Sequence, residues 1–329
     1  MKIIALEEHL VTPALADAWH AQPSGDDGQA EAEFGSGPFD AQLLDLGPAR
    51  LDAMDHQGVD KQVLSVTQPG VQSLAPGLAV PMARAANDLI AATVAACPSR
   101  FEGFATLPTP DPEASARELH RAVEELGLKG AMVFGRTGDK NADHPHHEPL
   151  WAAASVLRAP IYLHPQRPQA AVRDAYYSGF GTQGDAMLSS GLIGWHYETG
   201  MQLLRMILGG VFDRNPGLQV IVGHWGELVL YWESRFTMMQ KRGHFPGKLI
   251  IEYLREHVSF TGSGDTSDRC LAWTKELVGV DRILYATDYP FIDTSGGLAR
   301  SFLLSANLTA QEKHAVAHAN WERLTAHLR

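Results

Sequence analysis

Short apolar runs alternate with segments of helical periodicity along nearly the whole chain. Each run holds four to seven residues and is bounded by charged residues, Gly or Pro. Such runs are typical of strands buried on both faces of a parallel sheet. The predicted strands are 3–6, 62–66, 101–107, 130–134, 160–164, 218–223, 257–261 and 283–287. The predicted helices include 50–57, 81–96, 111–126, 149–158, 199–208, 228–239, 267–278, 297–305 and 309–327.

Eight strands, nearly all followed by a helix, predict an α/β fold of the (β/α)8 TIM-barrel type, because repeated right-handed βα connections close a sheet on itself. The alternative is an open doubly wound sheet, but no Gly-x-Gly-x-x-Gly turn follows any of the runs. A barrel commonly uses this many residues as one domain, so we expect a single domain over 1–329. Two long segments, 10–48 and 165–198, interrupt the alternation and are predicted as loop insertions over the C-terminal face.

Composition excludes several classes of protein. The net charge is −11 and no basic face is evident, so we expect no nucleic-acid partner. No apolar run approaches the ~20 residues that span a bilayer. The two cysteines, Cys97 and Cys270, are not in a Cys-x-x-Cys arrangement, which fits a reducing compartment. Together these observations predict a cytoplasmic protein without a membrane partner.

Side chains that bind metals or protons follow four of the predicted strands. They are Glu7 and His9 after the first strand, His164 after the fifth, His224 after the sixth and Asp288 after the eighth. In a barrel these strand ends surround one mouth, where barrel enzymes place their active sites. Glu7 and His9 are two residues apart in an extended chain, so we expect both on one side of the strand and Glu8 on the other.

Imidazoles and carboxylates together form a donor set suited to Zn²⁺ or Mn²⁺, and the absence of cysteine from the set argues against a soft metal. The sequence therefore predicts a site for one divalent ion. The alternative is that these polar residues only complete hydrogen bonds at the end of the barrel.

The motif Gly-His-Trp-Gly-Glu at 223–227 joins a predicted strand to a predicted helix. His224 is expected at the strand end and Glu227 in the first helical turn, from which its carboxylate can face back. His196, in the insertion 165–198, is a candidate for the pocket wall or for an unrelated surface position.

Four motifs resemble the amidohydrolase superfamily, in particular its amidohydrolase-2 branch of metal-dependent, nonoxidative decarboxylases related to aminocarboxymuconate-semialdehyde decarboxylase. The motifs are Ala-Leu-Glu-Glu-His at 5–9, Tyr-Leu-His-Pro at 162–165, the run 209–216 leading into 222–227, and Ala-Thr-Asp-Tyr-Pro-Phe at 286–291. The Glu-x-His form of the first motif is similar to that of the γ-resorcylate (2,6-dihydroxybenzoate), salicylate and 5-carboxyvanillate decarboxylases.

The resemblance implies a role for each matching residue. Glu7, His9, His164 and Asp288 would bind one divalent ion, and His224 with Glu227 would be an acid–base pair. Arg235, Trp195 and Phe291 would contact the substrate. A homodimer or homotetramer is also implied. The match is not complete. Several positions differ from the residues usual in resorcylate enzymes, namely Phe134, 195–197 and 292–293. The identity of the aromatic acid therefore stays open.

Two reactions fit the predicted site. In the first, the metal chelates the carboxylate and ortho-hydroxyl of a 2,6-dihydroxybenzoate-like acid, and Asp288 protonates the ring carbon as CO₂ leaves. In the second, a metal-bound hydroxide hydrolyses or hydrates a lactone, amide or related intermediate of aromatic catabolism. A barrel that only binds a ligand is the third alternative, and it predicts no metal.

Overall fold

Parallel strands form a closed wall in the computed structural model, which describes residues 1–21, 37–242, 247–292 and 296–328. The strands are β1 Ile4–Leu10, β2 Lys61–Val66, β3 Phe101–Gly103, β4 Ala105–Thr106, β5 Ala131–Val133, β6 Ile161–Leu163, β7 Val220–Val222 and β8 Val258–Phe260. They pair in the orders β1-β2-β3 and β4-β5-β6-β7-β8. The predicted strand 101–107 is interrupted at Phe104, whose N–H donates to the Leu64 carbonyl at 2.8 Å and so keeps the wall continuous.

Residues 283–287 close the wall between β8 and β1. The Leu284 N–H donates to the Phe260 carbonyl at 2.8 Å, and the Leu6 N–H donates to the Tyr285 carbonyl at 2.9 Å. The prediction of a regular strand here is wrong, since only isolated parallel bridges form. The reason is visible at Thr287, whose N–H donates to the Glu8 carboxylate at 2.9 Å instead of continuing a ladder.

Helices cover the outside of the wall, as the sequence predicts. In chain order they are α1 Pro13–His20, α2 Asp40–Leu44, α3 Pro48–Gln57, α4 Pro76–Ala96, α5 Pro112–Glu124, α6 Glu148–Leu157, α7 Ala170–Tyr176, α8 Gly181–Met187, α9 Gly194–Leu208, α10 Val211–Arg214, α11 Glu233–Gln240, α12 Ile250–His257, α13 Asp268–Val278, α14 Leu298–Ser305, α15 Ala310–His314 and α16 Asn320–Thr325. No helix among the described residues is long and apolar enough to cross a membrane.

Alternating strand residues divide the core into two parts. In β6, Ile161 and Leu163 pack outward into the large cluster between strands and helices. Tyr162 instead points into the barrel, where it joins a smaller interior cluster with Phe104 and Trp321. The interior of the barrel is therefore filled with side chains, and a functional site can form only at the ends of the strands.

Both predicted insertions contain helices. Within 10–48 the described part includes α1 and α2, and residues 22–36 lie outside the described residues. The interpretation of 165–198 as a loop is wrong, because α7, α8 and the start of α9 occupy it. Its many Gly and aromatic residues do not prevent helix formation. The helices are short, since α7 and α8 have seven residues each, or about two turns.

Candidate metal centre

Four polar residues at the strand ends have left-handed backbone conformations. The φ angles are 63° at Glu7, 47° at His224, 45° at Ser263 and 58° at Asp288. Non-glycine residues rarely adopt such angles, and they do so mostly at functional sites. At Glu7 the pairing of β1 with β2 also shifts register between Ala5 and Glu8. The alternation used to place Glu7 and His9 on one side is thus broken by a bulge, although both side chains still reach the same place.

Glu7, His9, His164 and Asp288 meet at the barrel mouth, and their candidate ligand atoms all lie within 4.8 Å of one another. His9 Nε2 lies 3.3 Å from Asp288 Oδ1, and His164 Nε2 lies 3.3 Å from Glu7 Oε1. Glu7 Oε1 and His9 Nε2 are buried and have no hydrogen-bond partner among the described residues. Buried polar atoms are almost always satisfied, so two orphaned ligand atoms side by side fit a bound cation.

The other oxygen of Glu7 is fully occupied. Glu7 Oε2 accepts from the Tyr162 hydroxyl at 2.5 Å and from the Ser263 hydroxyl. These two donors fix the carboxylate so that Oε1 points at the imidazoles. Gly223 leaves the room they need, because a Cβ there would lie 2.4 Å from Ser263 Oγ and 3.0 Å from the Tyr162 oxygen. Neither Tyr162 nor Ser263 was among the site residues predicted from the sequence.

The histidines are also oriented by their second ring nitrogen or by their backbone. His164 Nδ1 donates to the Pro165 carbonyl at 2.8 Å, which leaves Nε2 unprotonated and available to a metal. The His9 carbonyl accepts from Arg50 Nη1 at 2.8 Å. Hydrogen bonds of this kind hold metal ligands in place before the metal arrives.

A buried polar network lies on the opposite side of β1. Glu8 points away from the cluster, as predicted, and accepts from Gln62 Nε2 at 2.9 Å and from the Thr287 hydroxyl at 2.6 Å. The side-chain oxygen of Gln62 in turn accepts from Arg50 Nε at 2.7 Å. Arg50 and Glu8 are fully buried. This network joins β1, β2 and the segment before Asp288, and it fixes the backbone that carries three of the candidate ligands.

Burial drives the four clustered groups towards their uncharged forms. Burial and the Asp288 charge raise the pKa of Glu7 to about 8, and burial raises the pKa of Asp288 to about 7. Burial and the charge of Arg50 lower the pKa of His9 to about 3, and burial lowers the pKa of His164 well below its ordinary value. A bound divalent cation favours the ionised form of the carboxyl groups, and it binds imidazoles only when they are neutral. The donor set therefore fits such an ion.

Beside the cluster, Glu227 accepts from two imidazoles. Its Oε1 lies 2.7 Å from His224 Nδ1, and its Oε2 lies 2.8 Å from His196 Nδ1. Burial alone would lower the pKa of His224, but the Glu227 charge and hydrogen bond outweigh it and raise the pKa to about 10. The predicted helical turn at Glu227 is wrong, since residues 224–228 all have positive φ and regular helix begins at α11. The left-handed turn is what returns the carboxylate to His224.

His164, His224 and Asp288 lie in the wall of a cavity of about 400 Å³. Trp195, His196, Phe291 and Ile292 also line it, and the described lining includes no Lys or Arg. Arg235 is different, because it lies exposed on α11 and does not line this cavity. The structure thus brings together the predicted residues except Arg235, whose placement followed from the resemblance alone.

A family model described as Amidohydrolase matches residues 16–324. The chain belongs to the amidohydrolase family. The predicted α/β barrel of amidohydrolase type is confirmed.

Similar proteins narrow the branch of this amidohydrolase. The chain is 35% identical over 330 residues to decarboxylase orsB of Emericella nidulans, covering 98% of this chain and 96% of that protein. It is 36% identical to the γ-resorcylate decarboxylase of a Polaromonas species, covering 88% of each. A solved structure of a dihydroxybenzoic acid decarboxylase from Polaromonas sp. JS666, with bound manganese and the inhibitor 2-nitroresorcinol, superposes with a TM-score of 0.85 at 32% identity, covering 99% of this chain and 97% of that one. The predicted branch is confirmed.

Proposed function

We propose that this amidohydrolase is a manganese-dependent, nonoxidative decarboxylase of an ortho-hydroxylated aromatic acid. The observation that carries the proposal is a pair of buried atoms, Glu7 Oε1 and His9 Nε2, which have no hydrogen-bond partner among the residues that the structure describes. They face His164 and Asp288 at the edge of the cavity. Relatives named as decarboxylases, and a bound manganese in one of their structures, support the choice of reaction and metal.

Glu7, His9, His164 and Asp288 would hold the ion. Bound there, the ion would act as a Lewis acid towards the carboxylate and ortho-hydroxyl of the acid and would stabilise negative charge on the ring oxygen. Holding both groups fixes the plane of the ring, so the ring carbon that carries the carboxylate stays near Asp288.

Asp288 is the proposed proton donor. Its proton passes to the ring carbon, and the electrons of the bond to the carboxylate then return to the ring as CO₂ leaves. Its carboxyl lines the cavity, so it can reach the ring carbon of a bound acid. Trp195 and Phe291 line the cavity and would pack against the faces of the ring.

His224 and Glu227 would stabilise the negative charge on the ring oxygen. Glu227 raises the pKa of His224, which keeps an imidazolium in a cavity whose described lining has no other strong cation. In this arrangement His224 takes the role that the resemblance gave to Arg235. The homodimer or homotetramer stays a prediction.

A panel assay tests the proposal against hydrolysis. The manganese-loaded protein is incubated with 2,6-dihydroxybenzoate, other ortho-hydroxybenzoates and a lactone, and CO₂ and ring absorbance are followed. We expect CO₂ in equal amount to the hydroxybenzoate lost. Turnover of the lactone alone would replace decarboxylation by hydrolysis. No turnover of any compound by fully loaded protein would contradict both reactions.

A further inference from the structure

Glu227 is a buried carboxylate shared by two histidines from different parts of the chain. His224 belongs to the end of β7, and His196 belongs to the first turn of α9. Each imidazole takes one carboxylate oxygen, at 2.7 Å and 2.8 Å, and the two rings lie 4.4 Å apart. Glu227 is 1% exposed. Its negative charge is therefore stabilised almost entirely by these two side chains.

Glu227 determines that Nδ1 of His196 carries a proton. A carboxylate oxygen only accepts, so His196 Nδ1, which lies 2.8 Å from Glu227 Oε2, must donate. The other ring nitrogen, Nε2, lies 3.1 Å from both the Trp195 indole N–H and the Gly191 carbonyl. A neutral ring accepts there from Trp195, and a protonated ring donates there to Gly191. In either form Nδ1 donates to Glu227.

The start of α9 packs closely against the backbone of residues 224–228, which we call the Glu227 turn. A Cβ at Gly200 would lie only 2.3 Å from the Glu227 carbonyl oxygen. Only glycine permits this approach, which brings His196 within reach of the carboxylate. The contact does not depend on the charge of either histidine, so it is an independent sign that α9 and the Glu227 turn act as one unit.

The orientation of His224 depends on this unit. His224 and Glu227 both have positive φ, at 47° and 51°, so their backbone lies outside the regular structure that would otherwise fix the side chains. With Nδ1 of His224 engaged by Glu227, Nε2 is the nitrogen left for a bound molecule. A carboxylate whose two oxygens both accept hydrogen bonds has one orientation. If only one oxygen accepts, the carboxylate can rotate, and the His224 imidazole is then no longer fixed.

A second metal ion is the competing occupant, because the candidate ligand atoms of His196, His224 and Glu227 also lie within 4.8 Å of one another. Here, however, the atoms already satisfy each other as donor and acceptor. In the first cluster, by contrast, Glu7 Oε1 and His9 Nε2 have no hydrogen-bond partner in the part of the chain that the structure describes. The contrast favours hydrogen bonds over an ion at this position.

We propose that His196 is a positioning residue that donates to Glu227 and thereby fixes His224 in the site. The proposal rests on the proposed function in one respect, that His224 acts on the substrate. It adds a requirement for a hydrogen-bond donor at position 196.

Three variants separate positioning from general structural damage. His196→Leu removes the donor, and His196→Asn keeps an N–H close to the position of Nδ1. His120→Leu, which removes a partly exposed histidine on α5, is the control. Loss of a hydrogen bond that orients an active-site group lowers activity about 10- to 100-fold. We expect that loss in kcat for His196→Leu with little change in KM, substantial recovery for His196→Asn, and no change for His120→Leu. Equal kcat in His196→Leu and the unaltered protein, or no recovery with Asn, would overturn the proposal.

A measurement without substrate tests the hydrogen bonds themselves. Proton NMR of the metal-free protein should contain two strongly downfield imidazole N–H resonances from the pairs with Glu227, and His196→Asn should remove one of them. Absence of any change would overturn the proposal even in an active enzyme. If the unaltered protein releases no CO₂ but both resonances behave as expected, the proposed function fails and the arrangement around Glu227 stands. Two manganese ions per chain, one of them lost in His196→Leu, would show that the position is a metal site instead.

Discussion

Tyr162→Phe removes one hydroxyl and tests how the candidate metal site is supported. The Tyr162 hydroxyl donates to Glu7 Oε2 at 2.5 Å inside the barrel, 155 residues away in sequence. A hydrogen bond to a charged group contributes about 1.5 to 3 kcal/mol. At about 1.4 kcal/mol per factor of ten, its loss should raise the dissociation constant for manganese about 10- to 150-fold. The reason is that the ionised Glu7, which the metal requires, loses a donor.

Tyr285→Phe is the matched control. Tyr285 is also a buried tyrosine near the end of the barrel, but its hydroxyl has no hydrogen-bond partner among the described residues. Removing that hydroxyl should leave manganese affinity unchanged and should not lower the Tm. Affinity is measured by competition with a chelator of known strength. Equal affinities in Tyr162→Phe and the unaltered protein, or an equal loss in Tyr285→Phe, would refute the reasoning.

Three further predictions follow from the same geometry. Burial raises the pKa of Glu7 to about 8 and of Asp288 to about 7. At pH values above 6.5, the ordinary pKa of histidine, the folded metal-free protein therefore binds more protons than the unfolded chain. The Tm of metal-free protein should thus fall from pH 6.5 to pH 8, whereas manganese affinity should rise over that range; a rising metal-free Tm would contradict the assignment. Gly223→Ala should weaken manganese binding at least about tenfold, because its Cβ displaces the donors to Glu7, while Gly77→Ala, with open space around its Cβ, should not. Asp288→Asn should lower CO₂ release about 100- to 10,000-fold, and near-full activity would remove Asp288 as the proton donor.

The ends of the strands could be predicted because their signal is local. An apolar run followed at once by Glu7, His164 or Asp288 marks both the strand and the residue at its mouth. The order of the strands then brings distant ends together without any knowledge of side-chain contacts. This is why the four clustered residues were found from the sequence, together with the pairing of His224 with Glu227.

The residues that hold the metal ligands in place were not predicted, because nothing near them in the sequence indicates that role. Tyr162 lies between apolar residues, so the sequence predicts only a core position for it. Its second role, as a hydrogen-bond donor to Glu7 across the barrel, is visible only in the structure. Arg50 opens a predicted surface helix, yet it is fully buried because it bonds Gln62 and the His9 carbonyl. The left-handed backbone at Glu7 and His224 involves residues other than glycine, which give no sequence signal for it.

The position of the metal tests the central claim most directly. Crystals of manganese-loaded protein, measured at the manganese absorption edge, should give one strong anomalous peak per chain among Glu7 Oε1, His9 Nε2, His164 Nε2 and the Asp288 carboxylate. A peak between His196, His224 and Glu227 alone, or no peak at the barrel mouth in protein that carries manganese, would contradict the account.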